Sequence, residues 1–180
     1  MNNRTTIYQT LEHRGNADEV EASGPFLCKR KNAWLGTGYY FWDTDIELAH
    51  EWGRNSYNGN YFICRTYLPS TGNDIFDLVG NLEHLKELRE AMSVVCKRYE
   101  GCTVATIIEY LKTHTDFLKD FKAVRSRDER SSSCFLPYPG GKAILNLRPR
   151  IQICVFNKSS LVGIPFEIIY PDDYRYFKVI

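Results

Sequence analysis

The stretch Leu35-Gly36-Thr37-Gly38-Tyr39-Tyr40-Phe41-Trp42 is the segment that decides the fold. Two glycines that flank a single residue let the backbone bend tightly and approach a ligand closely. The segment is not the dinucleotide-binding fingerprint, because the third glycine and the strand-helix-strand context are missing. A short helix is predicted next, in which Ile46, Ala49 and Trp52 share one face and Asp43 or Thr44 caps the N-terminus.

Length and composition predict one globular domain over residues 1–180. The chain has 180 residues, of which 43% are hydrophobic and 25% charged, which is typical of a soluble domain with a real core. Aromatic residues reach 14%, which favours a sheet-rich fold because aromatic side chains pack well on pleated surfaces. The formal net charge of +1 creates no overall field that would favour nucleic acid or membrane binding.

The order of periodic segments predicts an α+β fold. Strands are expected from residue 5 to 10, over 61–68 and over 75–79. Apolar residues then recur at helical spacing over 82–95, after an N-cap at Asn81, and over 103–118, with Gly101 between the two helices. Further strands are expected at 142–147, 150–156, 166–170 and 174–179. Strands, then helices, then strands are typical of an α+β domain.

The glycine segment carries a family resemblance. Gly36, Gly38, Tyr40 and Phe41 match a Gly-x-Gly-x-Tyr-Phe pattern, and Ala49 matches the small residue of the helix that follows it. On these residues the chain resembles the ADP-ribosyltransferase superfamily, in its poly(ADP-ribose) polymerase-like or diphtheria-toxin-like branch. The resemblance implies split antiparallel β-sheets with inserted central helices. It also implies that Tyr40, rather than the competing Tyr39, stacks on the nicotinamide ring of NAD.

The first motif of that family is an early histidine, and His13-Arg14-Gly15 supplies it here. The other three histidines lie in or after the first helix. The resemblance implies that His13 hydrogen-bonds the adenosine ribose, and that the Arg14 backbone takes the place of the usual glycine in holding the nicotinamide amide. The alternative is that His13 is an ordinary surface histidine in a polar loop.

The third motif falls on the strand from Arg150 to Phe156. Period-two alternation turns Ile151, Ile153 and Val155 toward the core and Gln152 the other way. Most relatives carry Glu at the Gln152 position, and some branches carry Gln. The alternative is a solvent-facing residue on an edge strand. Together the resemblance implies a catalytic set of His13, Tyr40 and Gln152, and a set that contacts NAD: His13, Arg14, Gly15, Gly36, Gly38, Tyr39, Tyr40 and Ala49.

The chemistry implied is cleavage of NAD, as substrate, through an oxocarbenium-like ribose, with no metal ion. Gln152 would hydrogen-bond a ribose hydroxyl. A neutral amide cannot act as the general base that Glu provides. Because Glu also supports chain elongation in polymer-forming relatives, the resemblance implies that a chain with Gln at this position transfers a single ADP-ribose. Glu129 and Glu167 are candidate bases on other segments.

A basic stretch of the chain is the candidate binding region for the molecule that accepts ADP-ribose. Residues 119–150 hold eight basic and three acidic side chains, which indicates either a solvated helix end and loop or a basic lip beside a binding site. In the family, the loop before the third motif contacts the target. Arginines interleaved with aromatic rings suit single-stranded nucleic acid slightly better than a protein acceptor. The acceptor-binding candidates are Arg125, Arg127, Arg130, Tyr138, Lys142, Arg148 and Arg150.

Three classes of function stay open on the sequence: a mono-ADP-ribosyltransferase, an NAD glycohydrolase with water as acceptor, and a silent NAD- or nucleotide-binding domain. Toxin or defence roles are common in such compact relatives, and a neutralising antitoxin or immunity partner is a possible companion. Six cysteines without zinc spacing, no apolar signal region and no membrane-length apolar run favour a reducing cytoplasm. Delivery by a secretion machine that needs no cleaved signal stays open.

Overall fold

The computed structural model describes residues 4–69, 73–129, 134–141, 143–161 and 163–174, and a seven-stranded sheet forms its centre. The strands are β1 Arg4–Glu12, β2 Tyr39–Asp43, β3 Tyr61–Pro69, β4 Ile75–Asp77, β5 Ala123–Asp128, β6 Phe135–Pro137, β7 Ile144–Asn146, β8 Arg150–Val155 and β9 Glu167–Tyr170. The helices are α1 Ala17–Ser23, α2 Ile46–Tyr57, α3 Leu82–Val95, α4 Val104–His114 and α5 Phe117–Asp120.

The main sheet runs in the order β4-β5-β8-β2-β1-β3-β9, while β6 and β7 form a separate two-stranded hairpin. Every neighbouring pair in the main sheet is antiparallel except β4 and β5, which are parallel. Strands and helices therefore combine into a mixed α+β fold with a mostly antiparallel sheet, as the sequence predicts.

Helices and loops cover both faces of the sheet, so the central strands are buried on both sides. On one face α3 and α4 pack over Phe76, Val124 and Cys154, and α2 packs over Trp42 and Ile63. On the other face two clusters form around Ile153 and Phe62, and α1 and the segment around Leu161 cover them. A strand buried on both faces loses the clean apolar-polar alternation that a half-exposed strand shows.

This burial explains the differences from the sequence predictions in the sheet. Strand β5 lies inside the stretch that the charge count assigned to a helix end and loop. Strand β8 lies between β5 and β2, so Gln152 is not on an edge strand. The strand expected at 75–79 ends at Asp77. Of the strand expected at 174–179, Tyr174 lies in a turn after β9, and residues 175–179 fall outside the described residues.

The helix boundaries are set by capping residues. Asn81 caps α3 as predicted, because its side chain accepts hydrogen bonds from the Glu83 and His84 amides. Asp45 caps α2, not Asp43 or Thr44. The segment predicted as one helix over 103–118 divides into α4 and the short α5, with Thr103 forming a capping box at the start of α4.

The cysteines take two roles. Cys64 and Cys154 are fully buried free thiols that act as small apolar side chains. Cys96 and Cys102 form a disulfide between the end of α3 and the start of α4, a pairing that the sequence reading did not anticipate. Among the described residues, no helix is both long and apolar enough to cross a membrane.

The β6–β7 hairpin stands in place of the strand expected at 142–147. Leu136 pairs with Leu145 across it. Within the described part of residues 134–147 no side chain is charged, and six large apolar side chains are exposed: Phe135, Leu136, Tyr138, Ile144, Leu145 and Leu147. Such an exposed apolar patch is typical of a surface that contacts another protein.

Replacing Gly53 of α2 with Ala tests the packing of this helix on β3. Helix propensity alone favours Ala by about 1 kcal/mol. An added Cβ would overlap the ring of Tyr61, which is 3% exposed. Since overpacking costs about 1–3 kcal/mol, Gly53→Ala is expected to lower the free energy of unfolding in urea. Asn55→Ala, at an exposed position of the same helix, should leave it unchanged or raise it by up to about 0.5 kcal/mol. A stabilised Gly53→Ala variant would contradict this packing.

Candidate functional site

A cavity of about 930 Å³ opens where β1 and β2 separate. The two strands pair only at Ile7 with Asp43 and at Tyr8 with Trp42. Beyond these pairs β1 continues along β3, and β2 continues along β8. Residues of β1 from Gln9 to Glu12 and of β2 from Tyr40 to Trp42 line the space between them. The volume lies within the usual range for sites that bind small molecules and cofactors.

The buried Gln9 amide holds the junction where the strands part. Its Nε2 donates to the Phe26 carbonyl at 2.8 Å and to the Tyr40 carbonyl at 3.3 Å, and its Oε1 accepts from the Phe26 amide at 2.8 Å. One side chain thereby fastens the loop before β2 and β2 itself to β1. The Gln9 amide thereby satisfies the Tyr40 carbonyl of β2 and both backbone polar groups of Phe26.

The Gly36-Thr37-Gly38 turn is held from α4. Gly36 has a φ of +85°, and a Cβ at Gly38 would overlap β8 at Cys154, so both positions require glycine. Glu109 accepts a hydrogen bond from the Thr37 amide, while Lys112 Nζ donates to the Thr37 carbonyl at 2.9 Å and to Glu109 at 3.0 Å. These two α4 side chains therefore satisfy both backbone polar groups of Thr37, at the tip of the turn.

The backbone of this glycine turn positions Tyr40 through two hydrogen bonds to its hydroxyl group. The Tyr40 hydroxyl donates to the Gly36 carbonyl at 2.8 Å and accepts from the Leu35 amide at 2.7 Å. Burial raises the pKa of the Tyr40 phenol far above its usual value, so the hydroxyl stays protonated at neutral pH. The ring is half-buried and lines the cavity. With its hydroxyl occupied, Tyr40 offers the cavity its ring and not a proton.

Gln152 lines the same cavity and is 9% exposed. Its Oε1 accepts a hydrogen bond from the Trp34 indole at 2.7 Å. Within the described part of the chain, no hydrogen bond is made by its Nε2. The Trp34 bond orients the amide, so that the NH₂ group remains as a donor for a ligand oxygen.

Seven aromatic residues line the cavity. They come from β2, from α2 and from the loop between α1 and β2: Phe26, Trp34, Tyr40, Phe41, Trp42, Trp52 and Tyr57. All three tryptophans of the chain are among them. The sequence reading assigned none of these tryptophans to the site. Trp34 and Trp42 closely flank the glycine turn, which is the signal that could have identified them.

Five charged residues line the cavity. Two are carboxylates, Glu12 and Glu19, and three are basic, Arg14, Lys29 and Arg30. Glu12 accepts from Arg14 Nε at 2.7 Å, and Glu19 accepts from Asn16 at 3.0 Å. The bases that the sequence suggested lie elsewhere. Glu129 pairs with Arg127 at 2.7 Å and Glu167 pairs with Arg65 at 2.9 Å, and neither lines the cavity.

His13 follows β1 at the margin of this site. Its ring stacks on the buried ring of Phe62 with centroids 4.1 Å apart, and its Nδ1 accepts from the Gly15 amide at 3.1 Å. His13 itself is not among the residues that line the cavity, although its neighbours Glu12 and Arg14 are. Of the three expected catalytic residues, the fold therefore brings Tyr40 and Gln152 together and leaves His13 beside them.

The other expected NAD contacts divide in the same way. Arg14 lines the cavity, whereas Gly15, Gly36, Gly38, Tyr39 and Ala49 do not. Tyr39 points to the opposite face of β2 and packs near Phe41. Ala49 is fully buried between α2 and the sheet, and its carbonyl accepts a hydrogen bond from Thr10 at 3.0 Å. Tyr39 and Ala49 therefore contribute to the packing around the site and do not contact the cavity.

The arginines expected to bind the acceptor are paired with carboxylates. Arg125 bonds Asp43 at 2.7 Å and Asp77 at 3.1 Å. Burial lowers its pKa, but hydrogen bonds and attraction from both carboxylates outweigh that effect and raise the pKa overall. The Glu51 carboxylate of α2 forms ion pairs with the guanidinium groups of Arg148, at 2.8 Å, and Arg150, at 3.0 Å.

Tyr138 is exposed on the hairpin, while Arg130 and Lys142 lie outside the described residues. The excess of positive charge along residues 119–150 is thus largely neutralised by acidic residues from earlier parts of the chain. A charge count along the sequence cannot register these partners, because they become neighbours only on folding.

Replacing Arg125 is expected to lower the free energy of unfolding, whereas replacing the nearby Arg127 is not. Asp43 is buried, and Arg125→Met would leave its carboxylate without its cation. Losing one member of such a pair is expected to lower the free energy of unfolding by roughly 2–4 kcal/mol. Arg127 forms an exposed pair with Glu129, so Arg127→Met should change stability by less than about 0.5 kcal/mol. Urea unfolding of both variants checks this, and equal effects would refute the distinction.

Comparisons with protein-family models, curated proteins and solved structures found no match for this chain. No group of three or more His, Cys, Asp or Glu side chains in the described part could hold a metal ion. The function is therefore inferred from the geometry of the cavity and from the motif around the glycine turn.

Proposed function

We propose that the protein is an NAD-dependent mono-ADP-ribosyltransferase with an ADP-ribosyltransferase-like fold. One observation carries the proposal: Tyr40 and Gln152, which come from two motifs more than a hundred residues apart, line one aromatic cavity at the point where two strands of the sheet separate. The motif residues of the resemblance lie on separate segments of the chain, and the meeting of Tyr40 and Gln152 at one cavity supports the proposal.

The side chains around the cavity suit the parts of NAD. Half-buried aromatic rings provide stacking surfaces for nicotinamide and adenine, and a cationic pyridinium gains further from a π face. The Gln152 Nε2 has no hydrogen-bond partner among the described residues and can donate to a ribose hydroxyl. Basic side chains in the same cavity match the charge of a diphosphate.

In the proposed reaction the bond between the ribose anomeric carbon and the nicotinamide nitrogen breaks, and nicotinamide leaves with the bonding electron pair. The acceptor atom forms the new bond to the anomeric carbon and loses a proton. Gln152 orients the ribose but cannot take that proton, because its amide is neutral. Glu12 is one of the two carboxylates that line the cavity in the described part of the chain, and it is the candidate to receive the proton.

The surface beside β8 favours a protein acceptor over a nucleic acid. Phosphate recognition requires free cations, and the described arginines of this region are already paired with carboxylates. The β6–β7 hairpin leads directly toward β8 and exposes uncharged apolar side chains. Apolar and aromatic contacts of this kind are typical of protein interfaces.

Removing the Tyr40 ring should weaken NAD binding. Tyr40→Leu is expected to raise the dissociation constant about 5- to 30-fold, which corresponds to about 1–2 kcal/mol for one stacking partner. Tyr40→Phe keeps the ring and should stay within about threefold of the wild type. Isothermal titration calorimetry with NAD measures both. Tyr99→Leu, at an exposed position outside the cavity lining, serves as the control, and equal affinities of all four proteins would refute the assignment of Tyr40.

Incubation with NAD labelled in its adenosine part tests the reaction. The wild type is expected to transfer label to protein in a mixed pool of proteins, RNA and single-stranded DNA. Gln152→Ala should lower the transfer about 10- to 100-fold, because it removes a hydrogen bond worth about 1.5–3 kcal/mol to a ribose that becomes charged in the transition state. Trp34→Phe keeps a ring but frees Gln152, and its effect should be smaller.

The products distinguish the alternatives in the same assay. Free ADP-ribose as the sole product would identify a glycohydrolase, and intact NAD after saturating incubation would identify a silent binding domain. Label on RNA or DNA would overturn the protein acceptor. Exchanging both Leu136 and Leu145 for Ser should lower transfer to protein without lowering NAD binding, because these exposed side chains share one face of the hairpin and neither lines the cavity.

A further inference from the structure

Arg30 holds an unusual position on the loop that precedes the glycine turn. Its guanidinium lies over the ring of Trp52, 4.7 Å from the centroid, and 5.6 Å from the centroid of Tyr57. Both rings belong to α2, so Arg30 reaches across the mouth of the cavity from the loop to the helix. Stacking of this kind uses the flat face of the guanidinium and leaves the N–H groups at its edge available.

No acidic side chain in the part of the chain that the structure describes neutralises the charge of Arg30. No carboxylate among the described residues forms an ion pair with Arg30 or with the adjacent Lys29, and both side chains line the cavity. Most other arginines near the site are paired. Arg14 bonds Glu12, and Arg150 bonds Glu51. An oriented guanidinium without an anion, at the wall of a cavity, is complementary to a ligand that brings the anion.

We propose that Arg30, assisted by Lys29, binds the diphosphate of a dinucleotide or nucleoside-diphosphate ligand. A guanidinium can donate two parallel hydrogen bonds to phosphate oxygens, and its stacking on Trp52 fixes the plane of that fork before the ligand arrives. Arg30 lies four residues before Trp34, which orients Gln152. The loop therefore supplies a cation for phosphate and an aromatic ring beside the candidate ribose contact. This subsite deepens the proposed NAD-binding function and rests on it for the identity of the natural ligand.

The inference is tested by calorimetric titration of the full chain with five probes. NAD and ADP-ribose carry the diphosphate with nucleosides, inorganic pyrophosphate carries it alone, and adenosine and nicotinamide riboside carry none. The wild type is expected to bind the three diphosphate probes. Arg30→Met should weaken each of them about 10- to 100-fold and leave the two nucleosides unchanged.

Two matched variants sharpen the test. Lys31 is exposed, adjacent in sequence and not part of the cavity lining, so Lys31→Met should bind all probes as the wild type does. Arg30→Lys keeps the charge and loses the planar fork, and about 3- to 10-fold weaker diphosphate binding is expected. Raising salt from about 50 mM to about 300 mM should weaken diphosphate binding by the wild type more than by Arg30→Met. A thermal unfolding midpoint equal to that of the wild type shows that each variant is folded.

The outcomes separate this inference from the proposed function. Equal NAD affinity of the wild type and Arg30→Met overturns the diphosphate subsite and leaves NAD binding intact. Pyrophosphate binding that depends on Arg30, without NAD binding, supports the subsite and overturns the proposed function. A wild type that binds no diphosphate probe overturns both.

Discussion

The cavity exists because backbone pairing between β1 and β2 stops after two residue pairs. A full ladder between these strands would close the space that Gln9 to Glu12 and Tyr40 to Trp42 now line. The separation leaves backbone polar groups that need other partners, and the Gln9 amide donates to one of them, the Tyr40 carbonyl of β2. Its other two hydrogen bonds hold Phe26 of the loop before β2. Each half of the sheet is stabilised by its outer neighbours, since β1 pairs with β3 along its whole length and β2 pairs with β8. The open junction is therefore supported from both sides.

A second set of hydrogen bonds connects α4 to the cavity through the glycine turn. Glu109 and Lys112 hold the peptide at Thr37, the turn holds the Tyr40 hydroxyl, and Tyr40 presents its ring to the cavity. Burial makes Glu109 harder to ionise, but its bonds to Thr37 and Lys112 outweigh this and lower its pKa overall. The carboxylate is thus kept in the charged form that accepts these bonds. On the far side, Glu51 and Asp45 of the α2 region bond Arg148 and Arg150 at the start of β8, next to Gln152. The two walls of the cavity are fixed by different helices.

Several features of the fold and site could be read from the chain. The α+β class, the N-cap at Asn81, the strand through Gln152 and the glycine turn follow from local pattern, because capping, period-two alternation and glycine conformation are properties of short segments. The choice of Tyr40 over Tyr39 agrees with the alternation of β2, which turns Tyr40 into the cavity and Tyr39 to the opposite face. Strand β5 was missed because it lies between two other strands and yet carries Arg125 and Arg127 in its interior, so it has no apolar run.

The sequence by itself determined the secondary-structure class, the two glycines and the aromatic residues that follow them, since each of these depends on neighbours a few residues away. Only the tertiary structure decided which side chains share the cavity and which charges are free. Arg125, Arg148 and Arg150 look like a basic surface along the chain, yet Asp43, Asp77 and Glu51 reach them from distant segments. Arg30 looks like one of many basic residues, yet it stacks on Trp52 without a carboxylate partner among the described residues. Coulomb attraction and hydrogen bonding act over a few ångströms, so these pairings depend on distances that folding sets and that the order of residues does not.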